Sequence, residues 1–288
     1  AEGTAYDAQI TGAPDGLTPW QLFELVAVED VRRACDLFAG VYAGSRKVDG
    51  YVSLEVSPNS AHDAKATVEE AKRLWAAVAR PNLMIKVPGT EAGAEALREL
   101  IAAGINVNVT LLFSIDAHRR TIEAYLAGLE DRAKAGQPLD HVASVASFFV
   151  SRVDSEVDGR LASMARASDE ATRSKLERLQ GKAAIANAKL AYRLFRELFS
   201  GARWDALAAK GARYQRPLWA STSTKNPAYR DVIYVEELAG RDTVNTLPPA
   251  TLEAFKDHGE ARDKVGEHAD EAVRTLAALE GVGISMQE

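Results

Sequence analysis

Cysteine is nearly absent from this 288-residue sequence, in which Cys35 is the only thiol. A single cysteine excludes an intramolecular disulfide framework and is typical of proteins from a reducing, cytoplasmic environment. Cys35 lies in VRRACDLFAG (31–40), a segment with helical character. We therefore interpret Cys35 as a buried structural thiol and not as a nucleophile.

Long apolar runs and an excess of basic charge are also absent. No run of 18 apolar residues occurs, and AEGTAYDAQI (1–10) lacks the features of a signal peptide, so we predict no membrane partner. The net charge is −6, with a pI near 5.6. This balance gives no electrostatic footprint for a nucleic acid, which we do not expect as a partner.

Motifs for metals and nucleotides are missing as well. The histidines are scattered and show no H-x-x-x-H spacing; they are His62, His118, His141, His258 and His268. Neither a P-loop nor a G-x-G-x-x-G fingerprint occurs. The sequence therefore predicts no metal and no nucleotide cofactor.

Short strand-like segments alternate with helical ones along the whole chain. The strand candidates are 50–57, 82–88, 105–113, 141–150, 216–221 and 243–248. The helical candidates are 18–45, 60–79, 90–104, 114–131 and 155–200, and Thr90 and Gly104 are the expected ends of the third. This alternation predicts an α/β fold with a parallel sheet, as one domain over 1–288. Periodicity does not choose between a barrel and a doubly wound sheet.

Polar residues recur at every second position in these strands. Successive side chains of a strand point to opposite faces, so Lys86 shares a face with Met84, while Leu83, Ile85 and Val87 take the other. The same parity gives each of the first four strands a polar set on one face. If the strands are neighbours, a set of polar side chains converges: Glu55, Lys86, Asn108, Thr110 and Ser147.

A solvated sheet face is the simplest alternative for this polar set. It fits poorly, because parallel sheets are covered on both faces and the set then lies in a protected interior. A buried Lys86–Glu55 ion pair with a purely structural role stays open as an alternative. The functional interpretation is that Lys86 attacks a carbonyl to form a Schiff base, while Glu55 moves protons. Asn108, Thr110 and Ser147 would then hold water and substrate hydroxyls.

Two cations follow strand candidates at the end where parallel α/β folds bind ligands. Arg152 follows the fourth strand, and Lys225 follows the fifth among small hydroxyl residues that include Ser223. These three residues are candidates for binding a phosphate. Ordinary loop charges are the alternative, which the sequence alone does not exclude.

Several of these segments together resemble transaldolases. They are GYVSLEVSP, NLMIKVPGT, GINVNVTLLFS, SVASFFVSRVD and PLWASTSTKNPAY, with GKAAIANAKLAY and DTVNTLPPATLEAF from the same family pattern. The resemblance covers essentially the whole chain. It implies a class I aldolase-type (β/α)₈ TIM barrel of the pentose phosphate pathway. Such an enzyme moves a dihydroxyacetone unit between sugar phosphates, from sedoheptulose 7-phosphate to glyceraldehyde 3-phosphate, which gives erythrose 4-phosphate and fructose 6-phosphate.

The resemblance also implies a role for each candidate residue. Lys86 is the implied Schiff-base lysine, and Glu55 and Thr110 are the implied partners of the catalytic water. The implied substrate-binding residues are Asn108, Ser147, Arg152, Ser223 and Lys225. Lys225 stands where some family members have arginine. A lysine at this position cannot make the bidentate contacts of an arginine.

Two strands of the family pattern have no counterpart in the sequence. The first carries an aspartate that acts as general acid and base in the family, and the second carries a Thr-Ser-Asn-Pro motif. We therefore expect a barrel lacking its first two strands. If 1–288 is the whole protein, we expect Schiff-base formation at Lys86 with severely reduced turnover.

Two further functions remain open from the sequence. One is another class I sugar-phosphate aldolase that cleaves without an acceptor sugar. The other is a catalytically impaired sugar-phosphate-binding protein. The expected partners are small sugar phosphates, and the sequence leaves open whether the chain forms a homo-oligomer.

Overall fold

A computed structural model describes residues 3–286, in which six strands alternate with helices. The strands are β1 (Val52–Glu55), β2 (Leu83–Pro88), β3 (Val107–Leu112), β4 (Ser144–Phe149), β5 (Gln215–Ala220) and β6 (Val244–Asn245). The helices are α1 (Asp7–Thr11), α2 (Pro19–Gly44), α3 (Ala64–Val78), α4 (Glu91–Ala102), α5 (Ile115–Lys134), α6 (Ser151–Arg166), α7 (Glu170–Glu177), α8 (Ala183–Leu198), α9 (Ala202–Ala208), α10 (Ile233–Leu238), α11 (Pro249–His258) and α12 (Ala269–Glu280). All six predicted strands are confirmed. Five are shorter than predicted, and β5 keeps the predicted length but begins one residue earlier.

The strands form one parallel sheet in chain order, from β1 to β6. Side chains from all six strands line a single cavity, so the sheet curls round its inner face as a half-barrel. Within residues 3–286, β1 and β6 each have one neighbouring strand. The α/β class and the parallel sheet are confirmed, whereas a closed eight-stranded barrel is not observed in the described part of the chain.

Helix ends follow the local sequence. The side chain of Thr90 accepts a hydrogen bond from the amide of Gly93, which confirms it as the N-cap of α4. Thr18 forms a capping box with Gln21 at the start of α2, and Pro19 follows at the first helical position. The helical region expected over 155–200 is confirmed, and it consists of three separate helices, α6, α7 and α8. Between residues 3 and 286 no helix is long and apolar enough to span a bilayer.

The core lies between the outer face of the sheet and the helices. Leu83, Ile85 and Val87 of β2 are fully buried in it, together with Leu97 and Leu100 of α4. Burial of one such side chain contributes about 1.5–3 kcal/mol. The aliphatic residues at alternate strand positions therefore form the outer face of the sheet, and the residues between them point to its inner face.

Candidate active site

The inner face of the half-barrel encloses a cavity of about 650 Å³, which we call the catalytic-end cavity. Five of its lining residues are the predicted inward set: Glu55, Lys86, Asn108, Thr110 and Ser147. Strand register explains the grouping, because Glu55 lies opposite Lys86 on β2, and Lys86 lies opposite Asn108 on β3. The predicted convergence of these five side chains is confirmed.

Lys86 and Glu55 form an ion pair in this cavity. Lys86 Nζ lies 3.0 Å from Glu55 Oε2. Their side chains are 28% and 50% exposed, so the protected interior expected for this pair is not observed. Glu55 is exposed because β1 is an edge strand of the described sheet. An ion pair that reaches solvent contributes at most about 1 kcal/mol, which argues against a purely structural role.

Asn108 is held between two hydroxyl groups. Its Oδ1 accepts a hydrogen bond from Ser147 Oγ at 2.7 Å, and its Nδ2 donates to Ser53 Oγ at 3.1 Å. These bonds fix the orientation of the amide beside Lys86. Ser53 was not among the predicted site residues, although it shares the strand parity of Glu55, which was the signal for it.

Thr110 is 1% exposed, and within the described residues its Oγ1 has no hydrogen-bond partner. It lies within an irregularity of β3, where the register with β4 shifts between Val109 and Leu112. Leu111 takes the left-handed conformation there, with φ of 61°. Bulges and strained residues cluster at functional sites, where they redirect side chains. The unpaired hydroxyl of Thr110 is suited to bind water or a substrate hydroxyl.

The predicted phosphate-binding residues lie outside the lining of the catalytic-end cavity. Arg152 places its guanidinium carbon 5.1 Å from the ring centroid of Phe149 and lines a neighbouring cavity with Phe113. Lys225 Nζ donates to Ser223 Oγ at 2.9 Å.

The segments that carry these cations are joined directly. Ser151, at the start of α6, donates its amide to the carbonyl oxygen of Ser221 at 2.9 Å. Arg152 and Ser223 are therefore each within two residues of a direct contact between the two segments.

Two acids of α6, the half-buried Asp158 and the buried Asp154, anchor the segment that follows β5. Asp158 accepts hydrogen bonds from Tyr229 Oη at 2.6 Å and from the Gly181 amide at 2.9 Å. Asp154 accepts from Tyr234 Oη at 2.7 Å, and burial raises the pKa of Asp154. These two acids were not predictable from the sequence, because their spacing on α6 resembles that of an ordinary polar helix face.

Further lining residues of the catalytic-end cavity were also missed. They are Tyr51, Phe149, Arg216, Asn245 and Thr246. Arg216 has the parity of Leu218 and Ala220 on β5, so its inward direction was predictable. Among residues 3–286, no group of three His, Cys, Asp or Glu side chains is arranged to hold a metal ion.

The family model for transaldolase/fructose-6-phosphate aldolase matches residues 1–288. The chain belongs to the transaldolase/fructose-6-phosphate aldolase family. The resemblance seen in the sequence is thereby confirmed, and the chain is an enzyme of the transaldolase type.

Individual members of the transaldolase family are similar over nearly the whole chain. Transaldolase 2 of Nostoc sp. is 49% identical over 289 residues, covering 99% of this chain and 76% of that protein. The transaldolase of Thermobifida fusca is 50% identical over 290 residues, covering 100% of this chain and 77% of that protein. The transaldolase of Mycolicibacterium smegmatis is 49% identical, covering 100% of this chain and 76% of that protein.

Proposed function

We propose that the chain transfers a dihydroxyacetone unit between sugar phosphates through a Schiff base on Lys86. The observation that carries the proposal is the Lys86 amine in the catalytic-end cavity, 3.0 Å from Glu55 and beside the Ser53–Asn108–Ser147 hydrogen-bond chain. An amine, a carboxylate and several hydroxyl-binding groups in one cavity meet the needs of imine chemistry on a ketose.

The first half-reaction follows from this arrangement. The Lys86 amine adds to the C2 carbonyl of a ketose phosphate, and loss of water gives a protonated imine. The C4 hydroxyl then gives its proton to Glu55 through the bound water, the C3–C4 bond breaks and its electron pair moves toward the imine to form an enamine. The aldose phosphate leaves as the aldehyde. Glu55 moves protons to and from the water, and Thr110 Oγ1 binds that water.

The second half-reaction returns the lysine. The enamine carbon attacks the aldehyde of an acceptor aldose phosphate and re-forms a C–C bond, and water hydrolyses the imine. We propose sedoheptulose 7-phosphate and glyceraldehyde 3-phosphate as one substrate pair, with Asn108 and Ser147 on the sugar hydroxyls. Arg152, Ser223 and Lys225 are the proposed phosphate-binding residues, since their segments meet beyond the ends of β4 and β5.

The proposed architecture is a (β/α)₈ barrel in which the described sheet supplies six of the eight strands, among them the strand carrying Lys86. A second candidate activity is cleavage of a sugar phosphate without an acceptor. The matching family description, which names a fructose-6-phosphate aldolase beside transaldolase, favours including it. Because both activities use the same lysine, they are distinguished by their products. An assay that compares transfer with simple cleavage separates them.

Borohydride trapping tests the Schiff base directly. Incubation with fructose 6-phosphate and borohydride is expected to leave a reduced dihydroxyacetone adduct on the peptide that carries Lys86, detected by mass spectrometry. Lys86→Ala is expected to show no adduct, whereas Lys225→Ala keeps the adduct at raised substrate concentration. Erythrose 4-phosphate added before borohydride is expected to remove the adduct if transfer occurs.

The absence of an adduct on folded wild-type protein would overturn the Schiff-base proposal. An adduct that forms but is not discharged by any acceptor aldose would favour the impaired sugar-phosphate-binding protein. Release of free dihydroxyacetone without an acceptor would favour the aldolase. Circular dichroism of each variant checks that the loss of an adduct does not come from unfolding.

A further inference from the structure

A second cavity of about 350 Å³ lies at the amino ends of the strands, opposite the end that carries Lys86. We call it the amino-end cavity. Its wall includes the turn before β1, the first residues of β2, β4 and β5, and the segment between α9 and β5. Four cations line it: Arg46, Lys47, Arg213 and Arg216.

These four cations lack acidic partners in the described part of the chain, where none has a carboxylate within 4.0 Å. Other arginines of this protein are paired, as Arg98 is with Asp131 at 2.6 Å. One carboxylate, Asp242, lines the amino-end cavity, and it already faces Arg196 and Arg241, each at 3.7 Å. The amino-end cavity is therefore strongly positive in a protein whose net charge is −6.

Hydrogen bonds to backbone carbonyls hold the two arginines from the β5 side in place. Arg213 donates to the carbonyl oxygens of Asp140, Lys47 and Arg46 at 2.9, 2.6 and 3.3 Å. Arg216 donates through one terminal nitrogen to the carbonyl oxygen of Val48 at 2.6 Å. No other bond of the Arg216 guanidinium is found among the described residues, so its remaining N–H groups are free to bind a ligand.

The turn that carries the other two cations is strained. Arg46 and Lys47 have φ of 56° and 62°, a conformation that costs non-glycine residues about 1–2 kcal/mol each. Arg213 bonds to the carbonyl oxygens of both and so stabilises the turn. Strained residues that the surrounding structure holds in place are enriched at ligand sites.

The positive charges that line the amino-end cavity also repel one another. Burial lowers the pKa of Arg216, and the nearby charge of Arg213 acts in the same direction, while Asp49, Tyr51 and Asp242 act against it. A bound anion would compensate this unfavourable concentration of positive charge.

Much of the remaining wall is apolar. It includes Trp204, Ala208, Ala212 and Met84, and the Trp204 ring stacks on Tyr214 with centroids 4.8 Å apart. Ligand sites combine such apolar walls with a few fixed polar groups, and 350 Å³ suits a small molecule. A cavity that combines four cations with apolar side chains matches an ester that has a dianionic phosphate and a small organic group.

We propose that the amino-end cavity binds a phosphomonoester, with the phosphate against Arg216 and Lys47 and the organic group against Trp204. The site is separate from Lys225 and Arg152, and it does not depend on the Schiff-base chemistry. Arg216, Tyr51 and Met84 line both cavities, so a ligand here touches the floor of the catalytic-end cavity.

Calorimetric titration with phenyl phosphate at low ionic strength tests this site. The double variant Arg46→Gln/Lys47→Gln changes the strained turn, and Arg216→Gln keeps a donor for Val48. Each is expected to weaken binding at least about tenfold, as loss of a charge-assisted contact does. Lys65→Ala, at an exposed cation of α3 that lines neither of the two cavities, is the matched control and is expected to bind within about twofold of wild type. Lys225→Ala weakens the other proposed phosphate site and is expected to keep the binding step of the amino-end cavity.

Inorganic phosphate is the second probe, and the apolar wall is expected to make it bind about tenfold more weakly than phenyl phosphate. Displacement of phenyl phosphate from Lys225→Ala by fructose 6-phosphate would identify a sugar phosphate as a ligand, and no displacement would identify a different phosphate ester.

Three results would overturn the inference. They are no measurable binding by wild type at millimolar ligand, equal affinity of wild type and Arg46→Gln/Lys47→Gln, and loss of all binding in Lys225→Ala. The double variant involves side chains near the surface, and circular dichroism verifies its fold.

Discussion

Thr110 presents a buried hydroxyl to the catalytic-end cavity, and this hydroxyl has no hydrogen-bond partner among residues 3–286. An unsatisfied buried polar group costs about 1–3 kcal/mol, so its presence works against stability. The neighbouring Asn108 side chain is different, because both its amide nitrogen and its amide oxygen form hydrogen bonds. A destabilising group that faces a cavity is typical of residues kept for function.

Thr110→Val tests whether the Thr110 hydroxyl serves function at the expense of stability. Valine has nearly the same shape and removes the unpaired hydroxyl, so we expect unchanged stability or a gain of up to about 1 kcal/mol. Because the proposed water loses its binding group, kcat for dihydroxyacetone transfer is expected to fall at least about tenfold. Urea unfolding and a coupled transfer assay measure the two effects.

Thr67→Val is the matched control. Thr67 is fully buried, but its Oγ1 donates to the Ser60 carbonyl oxygen at 2.8 Å. Its replacement breaks a satisfied bond and is expected to cost about 1–2 kcal/mol. Equal losses of stability in the two variants would show that the Thr110 hydroxyl is satisfied, and would contradict this account.

Strand parity was enough to predict which single residues share the catalytic-end cavity. Lys86 and Thr110 were found in this way, because side chains alternate strictly along a strand. The exposure of Glu55 was not predictable, since it depends on which strands flank β1. The direction of Arg152 was not predictable either, because the contact with Phe149 depends on the start of α6.

At the scale of secondary-structure elements, β2 is joined tightly to α4. Gly93, in the first turn of α4, lies so close to β2 that a Cβ would sit 1.8 Å from the Pro88 carbonyl oxygen. Gly89, between the two elements, donates its amide to the Thr110 carbonyl oxygen at 2.8 Å. The end of the strand that carries Lys86 is therefore fixed by two glycines.

Gly93→Ala is expected to destabilise the protein by more than about 2 kcal/mol, because the clash is with backbone that must shift. Gly159→Ala, on the exposed face of α6, is the control. A Cβ there meets nothing within 4 Å, so alanine is expected to stabilise α6 by about 0.5–1 kcal/mol. Thermal unfolding compares the two, and a Gly93→Ala variant as stable as wild type would disprove the close packing of β2 and α4.

The bulge in β3 is not visible in the apolar–polar alternation of its sequence. The segment INVNVTLLF (105–113) reads as a regular strand, and alternation would bury Leu111 on the outer face with Val107 and Val109. The shift in register leaves Leu111 48% exposed and left-handed instead. No glycine marks this position, so the sequence carried no local signal for it.

For the whole molecule, alternation of strands and helices was sufficient to predict a parallel sheet in one α/β fold. Parallel strands require crossover connections, and the helical segments between them supply these. The curl of the sheet was not predictable in the same way, because it depends on how neighbouring strands stagger. The family resemblance, and not periodicity, indicated a barrel.

Acid stability of the whole fold depends in part on one buried histidine. His118 in α5 is fully buried, its ring packs against Phe148 of β4, and neither ring nitrogen has a partner within the described residues. Burial lowers the pKa of His118 from 6.5 to about 4. Between these two values the unfolded chain binds a proton that the folded protein does not, so stability falls as the pH falls.

His118→Leu removes this proton uptake and is expected to flatten the acid side of the stability profile. Relative to its value at pH 7, the free energy of unfolding of wild type is expected to fall by about 2 kcal/mol more than that of the variant at pH 5. Urea unfolding from pH 7 to pH 4.5 measures the difference. His258→Gln is the control. The exposed His258 forms a hydrogen bond with Asp231, which raises the pKa of His258. Replacing His258 is therefore not expected to relieve acid destabilisation. Parallel profiles for wild type and His118→Leu would mean that His118 is protonated in the folded protein, and the acid sensitivity would then have to come from the paired carboxylates.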